Sequence, residues 1–113
     1  MKYPEKYSLL IKIFGNSPRI RLLNVFFENP YFDFSREELV KMLGMSKSTV
    51  YKGISELEKL GIIKFSRKIG KSVLYKLNRE NEIVIQLENF IRNLSFDIAF
   101  KEQEKSMVKV SAK

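Results

Sequence analysis

Three residues, "GMS" at Gly44–Ser46, join two helical patterns with almost no slack, and this link restricts the fold more than any other stretch of the chain. Before it, Ser35 stands at a helix N-cap and Glu38, three residues on, completes a capping box. Phe34 and Leu39 are placed to form the hydrophobic staple across that cap. The helix runs to Leu43, where Gly44 supplies the left-handed residue that ends it. Ser46 caps the next helix, Met45 and Val50 repeat the staple, and Gly61 closes it. Two helices joined so tightly cannot lie antiparallel over their full length, so they cross steeply.

The second of these helices has two faces. Val50, Ile54, Leu57 and Leu60 recur at helical spacing and form a face for a core. Ser48, Tyr51, Lys52 and Ser55 recur between them, with Lys47 beside them at the N-terminal end. Gly53 interrupts this helix; a glycine there costs roughly 1 kcal/mol against alanine. It serves either close helix packing or the close approach of a ligand, and spacing does not choose between them.

Elsewhere the pattern is mostly helical. Residues 1–7 read as loosely ordered and 8–14 as a short helix. Ser17 caps a second helix with Pro18 at its first position, running to about Asn29 before Pro30. Its apolar residues cover more than half its circumference, which makes it the central helix. Residues 31–34, "YFDF", read as a brief strand. After Gly61 the period becomes two: 62–67 and 72–77 form a β-hairpin around a turn at "KIG" and Lys71. Residues 82–105 read as one long helix of ~36 Å, and the last residues as frayed.

Charge narrows the function. The net charge is +8, yet residues 41–77 alone hold nine basic and two acidic groups, while 78–113 balance at six and six. Basic charge focused on one segment favours a polyanionic partner, of which nucleic acid is the commonest. The chain has no cysteine and no histidine, which excludes thiolate and imidazole metal sites, cysteine nucleophiles and histidine acid–base chemistry; an all-oxygen metal site stays open. Glu38 has a capping role, and Glu56 and Glu58, two apart, point to different sides of their helix. No nucleophile accompanies them, so no enzyme is expected. No cofactor is implied. No apolar run approaches membrane-spanning length and no secretory leader is visible, so a cytoplasmic protein without membrane contact is expected.

Three helices, a tight turn and a hairpin with a basic tip follow the layout of a winged helix. "GNSPRIRLLNVF" resembles the glycine-x-x-x-arginine-x-x-leucine-leucine opening of ArsR-type regulators. "REELVKMLGMSKSTVYKGISELEKLGIIKFSRKIGKSVLYKL" resembles the helix-turn-helix and wing of the ArsR and MarR groups. The resemblance covers roughly residues 9–77 and implies a bacterial or archaeal type of transcriptional regulator. It implies DNA contacts by Lys47, Ser48, Tyr51 and Lys52 on the recognition helix, and by Arg67, Lys68, Lys71 and Ser72 on the wing; Ser55, on the same outward face, is expected to join them. Many ArsR-type proteins sense metals through cysteine or histidine; this chain departs from that pattern, and its effector is unassigned.

The expectation is an α+β, mostly α, winged helix-turn-helix with a two-stranded wing. Residues 1–78 form the DNA-binding domain, 79–106 a C-terminal dimerisation helix and 107–113 a frayed tail. The long helix carries more apolar surface than a body this small can cover. A homodimer through Ile83, Leu87, Phe90, Ile91, Leu94 and Ile98 follows, with the first helix as a further contributor. The alternative is that this helix folds back onto its own core. The expected function is sequence-specific binding of double-stranded DNA as a repressor. Its rivals are a sequence-independent architectural DNA-binding protein and a winged helix used only for protein contacts.

Overall fold

The computed structural model describes residues 9–94. The elements run α1 (Leu9–Phe14), α2 (Pro18–Glu28), β1 (Asp33–Ser35), α3 (Arg36–Leu43), α4 (Lys47–Lys59), β2 (Ile63–Ile69) and β3 (Ser72–Leu77). A further helix, α5, occupies residues 82–94. The readings of residues 1–7, of the helix beyond 94 with Ile98, and of the frayed tail lie outside the described residues.

α2 is the centre, as its apolar circumference predicts. Leu22, Val25 and Phe26 are wholly buried and Phe27 nearly so. Its N-cap forms as read: the Ser17 hydroxyl accepts from Ile20 N at 3.2 Å. Leu39 of α3, Val50, Ile54 and Leu57 of α4, Ile63 and Leu77 of the sheet, and Val84 of α5 close the same core. Phe26 and Phe34 meet edge to face, with ring centroids 5.7 Å apart.

The α3–α4 link behaves as its sequence dictates. Ser35 and Glu38 exchange both capping-box bonds, at 3.1 and 2.9 Å. Gly44 ends α3 in the left-handed region at φ +63°. An arginine of α2 seals that end: Arg21 donates to Leu43 O at 2.8 Å, a cation at a helix C-terminus. α4 closes in a Schellman motif, with Gly61 N donating to Glu58 O and Ile62 N to Leu57 O. Leu57 and Ile62 are both buried, which supplies the apolar contact that accompanies this motif.

Gly53 is answered by packing. A Cβ there would lie 2.3 Å from Cδ1 of the fully buried Leu22. The bare glycine lets α4 settle onto α2.

The strands differ in extent from the sequence reading. β1 lies at Asp33–Ser35 rather than 31–34, because Tyr31 and Phe32 belong to the turn after α2, where Phe32 N donates to Asn29 O. β2 continues to Ile69, leaving a two-residue turn of Gly70 and Lys71, with Gly70 at φ +59°. The sheet is three-stranded and antiparallel in the order β1-β3-β2. β1 pairs Phe34 with Tyr75, tying the wing to the start of α3. A bulge falls between Phe65 and Arg67 in β2.

α5 is fastened at its start. Asn81 caps it, its Oδ1 accepting from Ile83 N at 2.8 Å, while Asn81 and Asn78 each donate a side-chain amide to Gly61 O at 2.9 Å. The end of α4 thereby fixes the beginning of α5.

Candidate nucleic-acid interface

The outward face of α4 stands clear of the core. Lys47, Ser48, Lys52 and Ser55 are exposed, whereas Val50, Gly53, Ile54 and Leu57 are buried. Ser46 holds the N-terminal end: its hydroxyl accepts from Thr49 N at 3.2 Å and donates to Thr49 Oγ1 at 2.7 Å. Ser46 is a cap, and Lys47, Ser48, Lys52 and Ser55 share an exposed surface, as the helical spacing predicts.

Tyr51 sits differently from its neighbours. It is half-buried and packs against the core. The Arg36 guanidinium lies over its ring, 4.2 Å from the centroid, and Lys47 Nζ lies 5.3 Å from it. Arg36 escaped the sequence reading, because residue spacing along one helix does not reveal a side chain arriving from another.

The wing splits into a held base and a free tip. Arg67 Nε donates to Asp33 Oδ2 at 2.8 Å, its NH2 to Oδ1 at 3.3 Å, and the Ser66 hydroxyl also donates to Oδ2 at 2.8 Å. The bulge in β2 brings these two consecutive residues to one carboxylate. Those hydrogen bonds, Arg67's first, hold the Asp33 carboxyl below its usual range, and the pair raises Arg67 in turn. Lys68 and Lys71 are exposed and Ser72 is half-buried at the base of the turn.

Ion pairing sorts the cations. Arg19 pairs with Glu56 at 2.7 Å, Lys64 with Glu80 at 2.6 Å and Arg79 with Glu88 at 3.0 Å. Lys64 correspondingly lowers the Glu80 carboxyl, and Glu88, then the Tyr31 hydroxyl, raise Arg79. Among the described residues, Lys47, Lys52, Lys68 and Lys71 form no ion pair with a carboxylate, whereas Arg67 is paired with Asp33. An open groove of about 490 Å³ runs beside this surface between α2 and α4, lined by Ser17, Arg19, Thr49, Lys52, Gly53 and Glu56.

α5 divides the residues read as a dimer seam. Val84 is fully buried, and Leu87 and Ile91 pack partly against the body, which agrees in part with the helix folding back. Ile83 and Phe90 remain 55% and 46% exposed, and Leu94 is half-buried. Ile13 and Phe14 of α1 are exposed as well.

No helix among the described residues is long and apolar enough to cross a membrane, and none of them form a cluster of three or more acidic metal ligands. Comparison with curated proteins gives no match. Residues 19–70 match the family profile described as an HTH domain. Among solved structures, the chain is similar to the ferric uptake regulator of Francisella tularensis with iron, at 26% identity and TM-score 0.50, covering 59% of this chain and 55% of that one. HlyU from Vibrio cholerae N16961 superposes at TM-score 0.56 and 21% identity, over 83% of this chain and 97% of that one. A possible transcriptional regulator from Methanosarcina mazei Go1 gives 0.56 and 17%, over 91% and 88%. The chain spans about half of the ferric uptake regulator and most of the other two. With residues 19–70 matching a helix-turn-helix profile, the β2–β3 hairpin following α4 and α5 after the hairpin, the chain has a winged helix-turn-helix fold.

Proposed function

We propose that this protein is a sequence-specific regulator of transcription that binds double-stranded DNA as a homodimer and represses by occluding a promoter at an inverted repeat. One observation carries the reading: the outward face of α4 and the wing tip hold exposed lysines without carboxylate partners among the described residues, while Arg19, Lys64, Arg67 and Arg79 are paired. In helix-turn-helix proteins the N-terminal part of the second helix enters the major groove. There Ser48, Lys52 and Ser55 reach base edges, and Lys47 meets phosphate. Lys68, Lys71 and Ser72 contact the adjacent backbone or minor groove. Arg67, held by Asp33, sets the angle of the wing. The mixture of hydroxyls and lysines on α4 supports readout of sequence rather than coating. The name of the Methanosarcina mazei neighbour, a possible transcriptional regulator, points the same way.

The dimer rests on Ile83 and Phe90, seven residues apart on one side of α5, with Leu87 between them and Leu94 one turn beyond. Two such stripes facing each other would place the two recognition helices on successive half-sites.

Selection of bound sequences from a random duplex pool, followed by salt titration of the winner, tests the function. A recurring inverted repeat is expected, with affinity falling about a thousandfold or more between low and moderate salt. Failure to bind any duplex at low salt ends the reading. Binding without sequence preference replaces it with the architectural one.

A further inference from the structure

Arg36 and Lys47 are the first residues of α3 and α4, and both come to rest on the ring of Tyr51. The distances to the ring centroid, 4.2 Å for the guanidinium carbon and 5.3 Å for Nζ, bound the separation of the two cationic centres at their sum, 9.5 Å. Among the described residues neither cation has an ion-pair partner. Arg36 Nε is shielded from solvent and meets no acceptor among them. An arginine placed only to support a fold is ordinarily matched by a carboxylate or carbonyl, as Arg21, Arg67 and Arg79 are here. Arg36 is instead laid on an aromatic face, which orients a guanidinium without neutralising it. Two cationic centres within this limit both attract an anion that lies between them. Tyr51, half-buried between Lys47 and Lys52 in sequence, gives both cations a fixed platform on the exposed side of α4.

We propose that Arg36 and Lys47, braced on Tyr51, form a phosphodiester-binding site that takes a DNA backbone phosphate beside the recognition helix. The site rests on the DNA-binding reading and adds to it a residue from α3. It recasts Tyr51 as a positioning residue whose ring orients two cations. Its anion is a phosphate of the bound duplex, so it contributes equally on every sequence.

The test compares wild type with Arg36→Gln, Lys47→Gln and the double variant, each binding the selected duplex and a random duplex across a salt series. Each single substitution is expected to weaken both duplexes by on the order of tenfold and to lower the salt slope by about one. The double variant should lose less than the product of the two single losses, because both side chains serve one phosphate. Tyr51→Leu removes the aromatic platform and should reproduce the single losses. If Arg36→Gln melts early, Arg36→Lys takes its place: retained charge should retain the salt slope, and a fallen slope overturns the site. Wild-type affinity and slope in Arg36→Gln, on a wild type that does bind DNA, overturn the site and leave the DNA-binding reading intact. A wild type that binds no duplex removes both.

Discussion

Asp33 and Arg67 stand 34 positions apart and meet through two hydrogen bonds, Nε to Oδ2 at 2.8 Å and NH2 to Oδ1 at 3.3 Å. Asp33 lies on β1, immediately before the helix-turn-helix, and Arg67 on the outer strand of the wing, with β3 between them. The pair therefore latches the hairpin across the sheet. Asp33→Asn removes the charge that holds Arg67 and one strong acceptor for Ser66. Faster amide exchange along β2, with little change in the melting of α2 and α4, is the expected result. Unaltered exchange in β2 would show that the strand ladder alone holds the wing.

The same latch has a defined pH dependence. The Asp33 carboxyl is held below its ordinary value of 3.8 in the fold, chiefly by its hydrogen bonds with Arg67 and Ser66. A group with a depressed folded value contributes stability that is complete above the unfolded value and lost as pH falls through the folded one. Arg67 stays charged throughout. The stability difference between wild type and Asp33→Asn should thus be constant near neutrality and shrink below about pH 4. Denaturant midpoints measured from pH 7 downward check this; a difference that widens in acid contradicts it.

Gly53 tests the α2–α4 contact. Alanine would gain about 1 kcal/mol of helix propensity. Its Cβ would meet the fully buried Leu22, and overpacking costs about 1–3 kcal/mol. A net destabilisation of about 1 kcal/mol is expected for Gly53→Ala, read as a lowered urea midpoint with an unchanged slope. Ser55→Ala, on the exposed face of the same helix, is expected to be neutral or slightly stabilising. A more stable Gly53→Ala would mean that Leu22 swings aside.

Lys52 and Lys71 separate readout from attraction. Lys52→Ala should cost ~1–3 kcal/mol on the selected duplex and little on random duplex, narrowing the gap between them. Lys71→Ala should weaken both alike and lower the salt slope by about one. Identical behaviour of the two, with no sequence beating random duplex by about tenfold, favours the architectural role.

Two apolar residues of α5 have opposite expected fates. Val84 is fully buried, so Val84→Asp should unfold the protein. Phe90 is 46% exposed in the single chain, so Phe90→Asp should leave the fold intact and weaken self-association by about 3 kcal/mol or more. Sedimentation at micromolar concentration reads both. A monomeric wild type removes the dimer.

Local chemistry is what the sequence determined by itself. The caps at Ser17, Ser35 and Ser46, the left-handed glycines at 44 and 61 and the helical period of α4 each depend on residues within one or two turns of each other. Those short-range rules were enough to place the crossing helices, the wing and the exposed face of Lys47, Ser48, Lys52 and Ser55. Contacts between residues far apart in the chain were decided only by the tertiary structure. β1 finds its register on β3 through the sheet, so its start moved to Asp33. Asp33 selects Arg67 through the bulge, which took that arginine from the free wing cations. Leu22 explains Gly53, and Arg36 reaches Tyr51 from another helix. Periodicity also showed α5 as apolar over a broad arc, but only packing could turn Val84 inward and leave Ile83 and Phe90 outside. A pattern along a chain fixes which face a residue occupies on its own helix; the neighbouring elements fix what that face meets.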